Sequence, residues 1–192
     1  SMCFLRNEHE DGTLSCGLVA TKSRLAPLRS KPTIPRLELS GCVLSSRLYS
    51  LVRRELNVPI EKVTFWTDSH AALSYIRNRS TRFSVYIGNR TSEIQTTTNI
   101  EDWRFIGTNE NVADGLSRGI FPSTFDHHPY HHGPLFLYRP ESEWPTEKTL
   151  SKPYHHDPEE IRKELVMQTD TQTTPSFVNT LFVKFGSFFR LV

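Results

Sequence analysis

Acidic residues are missing from one long stretch of this chain. Between Gly12 and Leu37 there is no Asp or Glu, while Lys22, Arg24, Arg29, Lys31 and Arg36 all fall there. A one-signed loop of this kind can grip phosphates, and a solvated linker accounts for it equally well. Cysteine is scarce: Cys3, Cys16 and Cys42 are odd in number, widely spaced and form no CxxC, which argues against a disulfide framework or a Cys-rich zinc site and fits a reducing compartment. No long hydrophobic run is present. The most apolar stretch, Phe177 to Val192, is interrupted by Asn179, Lys184 and Arg190, so no membrane partner is expected. Residues 1–12 turn polar after Leu5 and do not read as a secretory signal. The formal net charge of +2 over 192 residues is too small to name a partner by itself.

The 36% hydrophobic content supports one buried core. Residues 2–6 and 13–20 read as strands joined by a polar Asp-Gly hairpin loop whose acids, Glu8, Glu10 and Asp11, are solvated turn residues. Pro35 suits the first turn of a helix to about Asn57, with Leu37, Gly41, Leu44, Leu48, Leu51 and Val52 as its buried stripe. Val63–Thr67 alternates as a strand. Helices are expected from Asp68-Ser69 to about Asn78 and near Arg82–Gln95, then a strand at Trp103–Ile106 and a short helix from Asn111 to Arg118. Trp66 and Trp103 read as core residues, and Tyr75 and Ile76 as the buried face of the second helix. Arg77, Arg79 and Arg82 near that helix's end read most simply as cations suited to its dipole.

The order β-β-α-β-α-α-β-α predicts an α/β domain over residues 1–120. Residues 121–160 form a connector holding seven of the twelve prolines and six of the eight histidines, more draped than independently folded. Residues 161–192 carry two candidate helices. His127, His128, His131 and His132 invite a zinc reading, but no cysteine or acid lies at site-like spacing, and a polar connector is the simpler account.

Three carboxylates stand at the edges of expected elements: Glu38, Asp68 and Asp114. Each has a sufficient structural explanation, as a first-turn acid stabilised by the helix dipole, an N-cap, and an acidic N3 residue after Asn111. Together they point further. A strand's carboxyl end is where open α/β sheets place their chemistry, and helices carrying Glu38 and Asp114 can lean over it. Clustered carboxylates repel unless divalent cations neutralise them, and hard oxygen ligands select Mg²⁺ or Mn²⁺. Two such ions about 3.5–4 Å apart serve phosphodiester hydrolysis.

The segments Thr21–Leu28, Thr33–Leu39 (TIPRLEL), Phe65–Ser69 (FWTDS), Asn89–Ile94 (NRTSEI), Asp102–Arg104 and Asn111–Gly119 (NVADGLSRG) resemble the ribonuclease H-like region of BEL/Pao LTR-retrotransposon polyproteins. Gly133–Leu137 and Trp144-Pro145 resemble the connector towards integrase that follows it, and 161–192 the start of the segment leading to integrase. The resemblance implies a ribonuclease H-like mixed sheet with flanking helices and Mg²⁺-dependent hydrolysis of RNA in an RNA–DNA hybrid. It also implies reverse transcriptase and integrase as polyprotein partners, and a cytoplasmic virus-like particle, or the nucleus, as location. Glu38, Asp68 and Asp114 take three of the family's four catalytic positions. The first strand, with the fourth acid, has no counterpart here, so the isolated chain is expected to be a fragment inactive as a nuclease. A non-catalytic nucleic-acid-binding or interaction module resting on Lys22, Arg24, Arg29, Lys31 and Arg36 is the competing expectation, and a remnant without function the third.

Overall fold

The structure is a computed structural model that describes residues 1–27, 29, 31–115, 129–146, 154 and 156–162. Ser1–Arg162 form one compact unit; the expected helices beyond residue 162 lie outside the described residues, as do His127 and His128. The architecture is mixed α/β. Strands β1 (Met2–Glu8) and β2 (Leu14–Thr21) pair antiparallel, with a bulge between Cys3 and Phe4. The loop between them closes as its composition dictates: Gly12 takes φ 79°, and the Asp11 carboxylate accepts from Thr13 N and Oγ1 at 2.9 and 2.6 Å.

Helix α1 (Ile34–Glu55) carries Pro35 in its first turn, where the missing N–H costs nothing, and ends as Leu56 goes extended with its N–H still on the Val52 carbonyl. It starts a turn ahead of Glu38, which therefore stands beyond the first turn rather than in it. The buried stripe also differs from the expected one. Leu39, Cys42, Val43, Ser46 and Leu48 are buried, whereas Leu37 and Leu51 are 38% and 41% exposed. The leucine pattern misleads because small residues, Cys42 and Ser46, make the close approach to the core. Ser46 is satisfied there by its bond to the Val43 carbonyl at 2.9 Å.

Strands β3 (Phe65–Thr67) and β4 (Trp103–Phe105) run parallel, linked by α2 (His70–Arg77) and α3 (Val85–Thr97). Ser69, not Asp68, caps α2, accepting from Ala72 N at 3.2 Å. The core gathers on α1, α2, α3 and this strand pair. Phe65 stacks on Trp103 at 4.6 Å, Trp103 is 1% exposed, and its indole N–H donates to buried Thr98 Oγ1 at 2.9 Å. Tyr75 and Ile76 are fully buried, as expected. Arg77 donates to the Trp103 carbonyl at 3.0 Å and Arg79 pairs with Glu101. In place of the helix expected over 111–118, Val112–Asp114 form a single 3₁₀ turn; residues 116–118 lie outside the described residues.

Among the described residues the two strand pairs share no strand, so each is a two-stranded sheet. Side chains of residues 129–146 reach both. Phe136 and Trp144 pack on half-buried Trp66 of β3 at 5.1 and 5.9 Å, and Arg6 of β1 donates to the Leu137 carbonyl at 2.8 Å. Glu141 pairs with Lys62 and with Arg104 of β4, each at 2.5 Å. Residues 154 and 156–162 form a second strap. Its Ile161 bridges Phe83, and His156 lies against Tyr75 and Phe83 at 5.0 and 4.9 Å. The longest helix, α1, is not apolar enough to cross a membrane, nor is any other described helix.

Candidate active site

Three local structures present the acids. Glu38 projects half-buried from α1; Asp68 follows β3 directly; Asp114 ends the turn that Asn111 caps by accepting from Ala113 N at 3.2 Å. The structure brings these three into one electrostatic neighbourhood. Burial first, then the negative charge of Asp68, then that of Asp114, raise the Glu38 carboxyl above the ordinary range. Behind them lies Cys42, one turn on from Glu38 and buried. Burial pushes its thiol up to about 12, with Glu38 and Asp68 adding to the shift against a Thr67 hydrogen bond, so the sulfur stays protonated and unreactive. Thr67 Oγ1 also accepts from Ser69 N at 3.2 Å, and the Thr67 carbonyl accepts from Ile106 N at 3.0 Å. Thr67 is thereby tied both to Ser69 across Asp68 and to Ile106, just past β4.

His70 was not a sequence expectation. It lies flat on Phe105, 3.8 Å between ring centroids, two residues past Asp68, and its buried Nδ1 has no hydrogen-bond partner among the described residues. An isolated His opening a helix carries no spacing signal that would have singled it out.

The donor chemistry suits a hard divalent cation, since the Glu38 carboxyl, raised by burial and by its acidic neighbours, is relieved by positive charge. The spacing is looser than that of a closed site: among the described residues no three His, Cys, Asp or Glu are gathered closely enough to hold a metal ion. His131 and His132 belong to no such group either.

The basic residues divide. Lys22, Arg24, Arg29 and Lys31 are exposed on the loop between β2 and α1. Arg36 is instead committed to an internal ion pair: its Nε and Nη2 donate to the two carboxylate oxygens of Glu160 at 2.5 and 2.9 Å.

Residues 1–69 match the family model described as Pao retrotransposon-like RNaseH-like domain. The match supports a Pao RNase H-like region. It spans the hairpin, α1 with Glu38, and β3 with Asp68, while Asp114 lies outside it. Neither the curated proteins nor the solved structures include a match. RNase H-like domains generally use divalent metals, and the family implies nucleic-acid binding. Two of the three acids, Glu38 and Asp68, fall inside the Pao-like match, which covers residues 1–69 of the 192.

Proposed function

We propose that the Pao-like region belongs to a nuclease module directed at RNA in RNA–DNA hybrids, with Glu38, Asp68 and Asp114 as its catalytic and metal-holding carboxylates and Mg²⁺ or Mn²⁺ as the ion, two per intact site. The joint placing of the acids supports this reading: Glu38 half-buried on α1, Asp68 directly after β3 and Asp114 closing its turn act on one another's charge, Glu38 being raised first by burial and then by Asp68 and Asp114. A bound divalent ion would supply activation of water and stabilisation of the leaving oxygen. The chain's own residues orient the acids: the Thr67 carbonyl accepts from Ile106 N at the end of β3, and the Ser69 cap sets where the chain turns after Asp68. Lys22, Arg24, Arg29 and Lys31 are placed to meet phosphates by charge alone. Reverse transcriptase and integrase parts of one polyprotein are the proposed partners, and a cytoplasmic virus-like particle or the nucleus the proposed setting.

The 192-residue chain by itself is proposed to bind hybrid without cutting it, its acids standing too loosely to hold a pair of ions in working geometry. A labelled RNA–DNA hybrid incubated with the chain and Mg²⁺ checks this. Intact RNA is the expected result, and robust cutting abolished by Glu38→Gln contradicts it. The second reading, a binding module without chemistry, is favoured by the arginine-lined cleft between α1 and α3.

A further inference from the structure

Ser40 and Arg47 fall on the side of α1 opposite Glu38, at 3.6 residues per turn. There α1 and α3 enclose an open cleft of about 190 Å³ lined by Arg24, Arg47 and Arg90 together with Ser40, Asn89 and Glu93. Tyr86 continues the row. Its ring lies between the guanidinium groups of Arg90, 3.4 Å from the centroid, and Arg36, 4.9 Å away, and its hydroxyl meets Ser40 Oγ at 3.0 Å. Four arginines from the β2–α1 loop, α1 and α3 therefore share one face.

Two of the four are held by carboxylates in the same two-pronged way. Arg47 Nε and Nη2 donate to Glu93 at 2.5 and 2.9 Å, and Arg36 does likewise to Glu160. The pairs differ in burial. Glu93 is a surface side chain, whereas the Glu160 side chain is 4% exposed and also accepts from Ser84 Oγ at 2.9 Å. An acid held by one guanidinium fork and one hydroxyl is bound as a phosphate group would be. That charge is not the strap's sole anchor. The Ser84 N–H donates to the Glu160 carbonyl at 2.7 Å, the Arg162 N–H to the Arg82 carbonyl at 2.8 Å, and His156 packs between rings. A charge buried where an apolar side chain would anchor as well calls for another explanation.

We propose that the α1–α3 face is a second nucleic-acid surface, binding phosphates through Arg24, Arg47, Arg90 and Arg36, and that Glu160 of the strap occupies the phosphate seat at Arg36 and Ser84. This deepens the nucleic-acid reading above and rests on it. Lifting the strap frees the seat, and the strap and a phosphate backbone compete for it. The acids and this surface lie on different sides of α1, so binding here is separable from the carboxylates.

The test is binding of a fluorescent RNA–DNA hybrid to the full chain, by anisotropy across a salt series, without divalent metal. Glu160→Gln is expected to bind at least about threefold tighter than wild type, since one acid leaves the face. Arg47→Ala/Arg90→Ala is expected to bind more weakly, its salt slope reduced by roughly 2. If wild type binds and Glu160→Gln, shown folded by circular dichroism, binds equally, the seat is overturned while the nucleic-acid reading stands. An arginine double variant that is folded and keeps the wild-type slope overturns the surface. Absence of binding by every protein overturns both readings.

Discussion

Two carboxylates of this chain titrate in opposite directions, and their signs separate the candidate chemistry from the scaffold. Glu38 is raised by burial and by its acidic neighbours, so the folded state holds its proton longer than the unfolded state does. Its contribution to stability is present below the ordinary carboxylate range and is lost as pH rises through the raised value. Glu160 is lowered, chiefly by the hydrogen bonds from Arg36. Its contribution is present above the ordinary range and disappears as pH falls through the lowered value. Glu38→Gln should therefore stabilise the metal-free chain at neutral pH by an amount on the order of 1 kcal/mol, since a half-exposed charge is partly screened. The gain should vanish near pH 4. Glu160→Gln should do the reverse, destabilising at neutral pH. Thermal melts of the two variants across pH 4–8 check both signs.

At the scale of elements, what could be read from residue order was the succession of strands and helices and the loop chemistry. Pro35, the Asp-Gly turn and the FWTDS strand end all act locally, within a few residues. What could not be read depends on distant partners. Leucine spacing on α1 gave Leu48 correctly but missed Leu39, Cys42, Val43 and Ser46, and placed Leu37 and Leu51, which are exposed, in the stripe. Arg36 looked like a free cation until Glu160, 124 residues away, was placed against it. The three acids stand out in the sequence by their places at element edges, while the looseness of their spacing does not, since no residue pattern encodes it. Docking of residues 129–146 is likewise invisible in sequence and turns on Gly133. With φ 77°, this residue sits where a Cβ would meet Leu137 Cδ1 at 3.2 Å and both Cys16 Sγ and Phe4 Cδ1 at 3.3 Å. Gly133→Ala should cost about 1–3 kcal/mol from backbone strain, before any crowding is counted. Faster amide exchange in β2, where Leu18 N–H donates to the His131 carbonyl, should accompany the loss. Unchanged exchange in β2 would show that this segment is not what protects the hairpin.

For the whole molecule, two faces of one helix carry opposite chemistry. Glu38 looks towards Asp68 and Asp114, while Ser40 and Arg47 look towards α3 and its arginines. The segments after residue 128 contribute to both sides of the fold: residues 129–146 join the two strand pairs by side chains, and residues 154 and 156–162 place Glu160 on the basic face. The Pao-like match accounts for the hairpin, α1 and β3, and the acid set extends past it only through Asp114. The central claim is that these three acids form one divalent-metal site. Thermal unfolding of the full chain with increasing Mg²⁺ and, separately, Mn²⁺ tests it most directly. Wild type is expected to show a concentration-dependent rise in Tm, about 2.7 kcal/mol of stabilisation at a hundredfold excess over Kd. The rise is expected to be lost in Glu38→Gln, in Asp68→Asn and in Asp114→Asn alike. An equal rise in all four proteins, or none in wild type, would contradict it.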